Sequence, residues 1–348
     1  MTVVVYGATG HTGQMIVDRL RHSVPVVAAG RDRPRLEAMA QQFGVAIGVA
    51  ELDRRDQLNE LLRDASVVVH CAGPFQQTAA PMLSACLGAA CHYIDISAEA
   101  RPMEYLATHH NAALRCGVML MPGAGADVVP SDCLAAQIVA RLPSAVRLSF
   151  GIQLPKTLTS GSARNFAAHA GNRALVRRAG TLEEVPAGVL EREFDFGMGP
   201  SLCSAVSWGD LVTAWHSTGV GDITCYLEST AALRYAMGVA DTARELSVSP
   251  TGRFATDVVA RVGFNGPTPA QRDNDRCRIV VEGEDGAGRL AVARIRLPEP
   301  YSFTAVLAAA IAERVWRGDF DVGFQTPSRV FGAQFIDRFR DVHSEDVC

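Results

Sequence analysis

Through the first 120 residues, short apolar runs alternate with segments whose apolar positions recur every three or four residues. Thr2 to Tyr6, Val24 to Ala29, Val45 to Val49, Ser66 to Cys71, His92 to Ile96 and Val118 to Met121 read as strands. Between them, His11 to Arg21 carries Met15, Ile16 and Leu20 on one helical face. Helices are also predicted over Pro34 to Phe43, Asp56 to Asp64, Ala79 to Leu87 and Met103 to Arg115. Strands that are apolar throughout and separated by helices predict an α/β fold, a doubly wound parallel sheet.

Beyond Gly123 the texture changes. Ser131 suits the N-cap of a helix through Leu142, and a strand follows over Val146 to Gln153. Residues 155–225 hold few long periodic runs. A strand is predicted over Asp222 to Ser229 and a helix over Thr230 to Leu246. Arg276 to Glu282 and Arg289 to Leu297 both alternate with period two around the turn Gly283 to Gly288, which predicts an antiparallel hairpin in an α+β second domain. Tyr301 to Arg317 and Ser328 to Phe339 read as helices. The expected division is a dinucleotide-binding domain over 1–130, a substrate and dimerisation domain over 131–300, and C-terminal helices over 301–348 packing back on the first domain.

Composition narrows the chemistry. With 48% hydrophobic and 20% charged residues and a net charge of −4, the chain gives no reason to expect nucleic acid as a partner. Its longest apolar candidate, Thr304 to Ala312, falls far short of a membrane span, and no leader pattern precedes the first strand. Nine cysteines lie scattered without zinc spacing, so the expectation is a cytoplasmic protein with free thiols and no metal site. Of 33 basic residues, one, Lys156, is lysine. Position 152 is Ile, so a Tyr-x-x-x-Lys pair is absent, and no P-loop motif precedes Lys156.

The strongest local signal is Gly7-Ala8-Thr9-Gly10-His11-Thr12-Gly13, which follows the first strand and opens the first helix. Glycine there permits a tight turn and close approach of backbone to a pyrophosphate, which the helix N-terminus favours. About 20 residues on, where a carboxylate would bind an NAD ribose, stands Gly30-Arg31, with Arg33 and Arg35 behind it. A guanidinium grips a 2′-phosphate, so the cofactor expected is NADP(H). Asp32 dissents, since it can turn in toward the ribose, and Arg31 also reads as a solvated loop charge. Ala72-Gly73-Pro74-Phe75 ends the fourth strand and should face the cofactor; a plain tight turn would use the same residues.

These segments, with His92-Tyr-Ile-Asp95-Ile-Ser-Ala-Glu99, resemble the saccharopine dehydrogenase-like reductases, and most of all the branch that includes the trans-acting enoyl reductases. Pro122 to Asp132 is similar to that branch's interdomain segment, Thr159 to Ser162 loosely to its hydroxyl-rich stretch, and Gly323 to Pro327 to its C-terminal return. The resemblance implies a Rossmann domain, an inserted domain that binds substrate and builds a homodimer, and NADP(H)-linked reduction of a C=C or C=N bond in a small organic or acyl substrate. The motifs of the lysine-pathway members cannot be placed in 150–300, which puts a role in lysine metabolism in doubt.

Candidate proton donors are Tyr93, Asp95 and Asp127, with Glu99 beside them, at the carboxyl edge of the predicted sheet. Tyr93 and Asp95 share a strand face. Asp95 and Glu99 equally suit a turn cap and the cap of the following helix, and His70 and His92 read as core histidines. Lys156 stands in a hydroxyl-rich loop, as a substrate ligand or a solvated charge. Trp208, Trp215 and Phe303 read as core, and Arg173, Arg177 and Arg178 as a solvated helix face.

Overall fold

The protein is described here from a computed structural model, which describes residues 1–155, 173–229 and 275–348. Lys156, the Thr159 to Ser162 stretch and the helix expected over Thr230 to Leu246 lie outside the described residues. The chain divides into two units, Met1–Cys133 with Pro300–Arg338, and Leu134–Glu299 with Phe339–Cys348.

In the first unit the strands are β1 (Thr2–Tyr6), β2 (Val26–Gly30), β3 (Ala46–Val49), β4 (Ala65–His70), β5 (His92–Asp95) and β6 (Met119–Met121). The helices between them are α1 (His11–Leu20), α2 (Arg33–Phe43), α3 (Arg55–Leu62), α4 (Phe75–Ala89), α5 (Ala100–Thr108) and α6 (His110–Cys116). The predicted α/β alternation stands, with two differences. Helix α4 begins at Phe75, four residues before its first strongly apolar stretch, and the helix expected over Met103 to Arg115 is broken at His109, where ψ rises to 9°.

After α7 (Val129–Arg141) the second unit contributes β7 (Ala145–Gln153), β8 (Ala174–Arg178), β9 (Thr181–Val185), β10 (Glu191–Asp195), β11 (Pro200–Val206), α8 (Asp210–Thr218), β12 (Asp222–Glu228), β13 (Cys277–Asp285) and β14 (Leu290–Leu297). The chain then passes through α9 (Pro300–Trp316), β15 (Gly323–Phe324), α10 (Pro327–Phe331) and a 3-10 turn, and ends on β16 (His343–Asp346).

The first sheet has the order β15-β6-β5-β4-β1-β2-β3, and every pairing in it is parallel. Strand order reverses between β1 and β4, which is where such sheets open a crevice at their carboxyl ends. The core strands Val3 to Val5 and Val67 to Val69 are fully buried, as both faces are covered by helices. Gly323 to Pro327 returns to this sheet as the resemblance implies: β15 pairs with β6, and His110 Nδ1 accepts from Phe324 N at 3.1 Å.

Ser131 is not an N-cap. Helix α7 starts two residues earlier, at Val129, and the Ser131 hydroxyl donates to Val128 O at 3.0 Å from inside the first turn. The helix expected over Ser328 to Phe339 is likewise shorter, ending at Phe331 before the turn Ile336–Arg338. The last ten residues belong to the second unit, because β16 adds to β14 there.

The second sheet, β10-β11-β12-β7-β13-β14-β16 with β8 and β9 joined through β12, is antiparallel apart from the β12–β7 pair. Gly151 lies beneath Phe194, whose ring would be 2.5 Å from a Cβ there, and Gly283 makes the same room for Ile138 of α7. Arg173, Arg177 and Arg178 do not form a helix face. Arg177 is 1% exposed on β8, with its guanidinium donating to Leu211 O and Gly180 O and stacked 5.6 Å from Trp215. Trp208 and Phe303 are core residues, as expected.

Candidate functional site: the glycine loop and the carboxyl edge of the first sheet

Gly7, at φ +82°, follows strand β1, and the chain turns back so that Gly10 N donates to Gly7 O at 3.0 Å. A Cβ on Gly7 would sit 2.9 Å from Ala72 N, and one on Gly13 would sit 2.4 Å from Gly7 O. The loop after β1 is therefore pressed against the turn after β4, at the point where strand order reverses. Gly10 occupies the N-cap of α1 and supplies no side-chain cap, and no acidic residue stands in the first turn. That leaves free N–H groups and the positive end of the helix dipole facing outward, a fit for a pyrophosphate. Thr9 and Thr12 are half-buried in the same turn. The Thr9 carbonyl is fixed by Gln14 Nε2 at 3.1 Å and Arg35 Nη2 at 2.8 Å. His11 is exposed, its ring edge-on to Tyr301 at 5.9 Å.

At the end of β2 the three basic residues separate by role. Arg35 is spent on Thr9, and Arg33 lies 3.6 Å from Glu37. Arg31 is exposed and has no hydrogen-bond or ion-pair partner among the described residues. Asp32 does not turn toward a ribose: its Oδ1 accepts from Arg35 N at 3.1 Å as the N-cap of α2. Tyr6 beneath donates to Ala50 O; burial pushes its phenol up to about 12, with the Arg31 charge pulling the other way and Glu51 and Asp53 adding to the rise.

The turn Ala72-Gly73-Pro74-Phe75 is held from two sides. Glu99 does not cap its own helix α5. Its two carboxylate oxygens instead accept from Phe75 N and Gln76 N, each at 3.1 Å, across the start of α4. This explains why α4 begins at Phe75. Thr78 Oγ1 donates to Pro74 O and meets His70 Nε2 at 3.0 Å. The Thr78 proton is thus used, so His70 carries its own on Nε2 and leaves Nδ1 as a buried acceptor without a partner among the described residues. Burial pushes the His70 imidazolium down to about 3, so the ring is neutral. His92 is satisfied as expected, its Nδ1 accepting from Met119 N at 3.0 Å.

The three catalytic candidates fall into two environments. Tyr93 and Asp95 are fully buried and joined by a 2.6 Å hydrogen bond from the phenol. Asp95 Oδ1 also accepts from Ser97 N at 2.9 Å and Gly123 N at 3.0 Å, while its carbonyl accepts from Ala124 N. Asp95 therefore ties the loop after β6 to the end of β5. Thr304 of α9 holds the same loop from the far side, accepting from Ala126 N at 3.0 Å and packing where a Cβ on Gly125 would lie. Asp127 follows at once, half-buried. Burial pushes both Asp95 and Asp127 up to about 6; at Asp95 the Tyr93 hydrogen bond opposes the rise. Tyr93 is driven above the usual phenol range by burial and the adjoining carboxylate.

Sequence reasoning missed the Glu99 and Thr304 contacts, since both join residues far apart in the chain. The His70–Thr78 pair, eight residues apart across a turn, carried a signal in the paired polar residues flanking Gly73-Pro74. Among the described residues no group of His, Cys, Asp or Glu is placed to hold a metal ion, and no helix is long and apolar enough to cross a membrane.

Residues 3–121 match the family model of the saccharopine dehydrogenase NADP binding domain. A saccharopine dehydrogenase-like oxidoreductase of Homo sapiens is 31% identical over a stretch covering 37% of this chain and 35% of that protein. A trans-acting enoyl reductase of Mycobacterium tuberculosis is 27% identical over 40% of this chain and 35% of its own length. The chain thus spans about a third of the length of the curated relatives it matches. Among solved structures, apo saccharopine dehydrogenase (L-Glu forming) from Saccharomyces cerevisiae aligns with a TM-score of 0.64 at 12% identity, covering 99% of both chains. Homospermidine synthase from Legionella pneumophila, solved with NAD, gives the same TM-score and identity over 99% of this chain and 91% of that one. At such identity the likeness is one of fold. Over residues 3–121, then, this chain is similar to the saccharopine dehydrogenase NADP binding domain.

Proposed function

We propose that the protein is an NADPH-dependent reductase that transfers a hydride to a conjugated C=C or a C=N bond of a small organic or acyl substrate, working as a cytoplasmic homodimer. The observation that carries this reading is the glycine loop: Gly7 and Gly13 leave no room for side chains, and Gly10 little, beside an uncapped helix N-terminus, and Arg31 at the end of β2 has no ion-pair partner among the described residues. In this reading Gly7, Thr9, Gly10, His11, Thr12 and Gly13 surround the pyrophosphate, Arg31 takes the 2′-phosphate, and Ala72, Gly73, Pro74 and Phe75 wall the crevice. A bound nicotinamide supplies the hydride. Asp127, with a carboxyl that keeps its proton up to about pH 6, gives the proton. Tyr93 and Asp95 are positioning residues that fix the loop carrying Asp127.

Two other readings are separated by the same experiment. A saccharopine dehydrogenase-type imine or amino-acid-linked oxidoreductase would oxidise or reduce C–N bonds alone, and a non-catalytic NADP sensor would bind without turnover. The pure protein is incubated with NADPH and panels of enoyl thioesters and cyclic imines, and NADPH consumption is followed at 340 nm. Turnover of at least one panel is expected. Tight NADPH binding with no consumption on any substrate would contradict the reductase reading.

A further inference from the structure

Three helices, α4, α1 and α2, start from the carboxyl ends of the central strands β4, β1 and β2, and their N-termini are treated differently. The first N–H groups of a helix have no partner within it, and together with the helix dipole they draw an anion. At α2 that anion is Asp32, whose Oδ1 accepts from Arg35 N. At α1, Gly10 supplies no side-chain cap and the first turn holds no acidic residue. At α4 the N-cap is Pro74, which has no side-chain acceptor to offer, yet that helix end is filled. Glu99 reaches it from far along the chain: Oε1 accepts from Phe75 N and Oε2 from Gln76 N, each at 3.1 Å. Gln77 N closes on Pro74 O at the same distance, so the first three N–H groups of α4 are all engaged.

Two consecutive backbone N–H groups, each gripping one oxygen of a single anionic group, are what a helix start offers a phosphate. Here the chain's own carboxylate takes that place, and the place is built to hold it. Glu99 is buried, and its N donates to Ser97 Oγ at 2.9 Å. Ser97 N donates in turn to Asp95 Oδ1, and the Tyr93 phenol to Asp95 Oδ2. The starts of α1 and α4 are also neighbours, since a Cβ on Gly7 would lie 2.9 Å from Ala72 N, in the turn that leads into α4. A dinucleotide pyrophosphate entering beside the glycine loop therefore meets two adjacent helix ends, and one of them already carries a carboxylate.

We propose that Glu99 is a cofactor-positioning residue: seated as an internal anion on the α4 N-terminus, it withholds that helix end from the pyrophosphate and directs the pyrophosphate to α1. This rests on the NADP(H) reading of the glycine loop and adds to it a residue that sets where along the crevice the cofactor lies.

The test uses the full chain and measures NADPH affinity and melting temperature in the wild type, Glu99→Ala and Glu99→Gln. Each protein is titrated with sodium formate, a carboxylate small enough for the vacated place, against sodium chloride at equal ionic strength. Glu99→Ala should bind NADPH at least tenfold more weakly than the wild type, and formate should restore most of that affinity and raise the melting temperature. Formate should do neither for the wild type or for Glu99→Gln, in which a side chain still fills the place. Glu99→Gln, which keeps the shape but not the charge, should lose at least threefold in NADPH affinity, and it carries the test alone if Glu99→Ala does not fold. Wild-type affinity in either variant, or a loss in Glu99→Ala that formate leaves untouched, would overturn the role of Glu99. A wild type that binds no NADPH would instead sink the reading of the glycine loop on which the proposal rests.

Discussion

The two sheets use the same residue types to opposite ends. Around the first, parallel sheet, the proposed site rests on what is left out: three glycines, an uncapped helix, and an arginine at the end of β2 that has no ion-pair partner among the described residues. In the second, mostly antiparallel sheet, the arginines are paired, with Arg147, Arg192 and Arg294 matched to carboxylates. A site made by omission is local in sequence and works through backbone shape. Pairing of that kind emerges only when strands distant in sequence are set side by side.

Adding one methyl group to each region is the bluntest way to test that difference. Gly13→Ala forces a Cβ against the Gly7 carbonyl at 2.4 Å, where the neighbour is backbone and cannot yield. NADPH affinity should fall by at least a hundredfold in a fluorescence titration, and circular dichroism on the same sample verifies the fold. Gly151→Ala meets the Phe194 ring at 2.5 Å instead. Overpacking of that kind costs about 1–3 kcal/mol, so thermal unfolding should shift while NADPH affinity stays unchanged. Equal losses of affinity from the two changes would erase the distinction between the regions.

A smaller effect sharpens the roles at the carboxyl edge. Asp127 and Asp95 both titrate near 6, each above the ordinary carboxyl range because it is buried. A proton donor must be protonated, so the reductive kcat/KM should fall as pH rises through about 6, approaching tenfold per pH unit. In Asp127→Asn the rate drops and that pH dependence disappears. If the fall with pH persisted in Asp127→Asn, Asp95 would be the controlling group, through the loop it holds by Gly123 N. His70 does not contribute near this pH, because its ring is neutral down to about 3.

The parallel sheet was legible because burial on both faces leaves continuous apolar strands, and glycine is demanded wherever backbone must approach backbone. Arg31 was legible by its distance from the glycine loop, and only the structure shows Asp32 committed to capping α2. Strands β8 to β11 were not legible, because short amphipathic strands in hairpins carry few apolar residues each, and Arg177 read as solvated although Gly180, Leu211 and Trp215 enclose it. Glu99 suits a cap of α5 by sequence for a related reason: its sequence neighbour is α5, whereas its spatial neighbour is the start of α4.

In the proposed function the glycine loop and Arg31, which has no ion-pair partner among the described residues, form the NADP(H) site. The most direct measurement is the pair of dissociation constants for NADPH and NADH, in the wild type and in Arg31→Glu. The wild type should prefer NADPH by at least tenfold, and Arg31→Glu, which puts a carboxylate where a 2′-phosphate would lie, should remove or reverse that preference while leaving NADH affinity within a few-fold. An unchanged preference in Arg31→Glu would contradict the account.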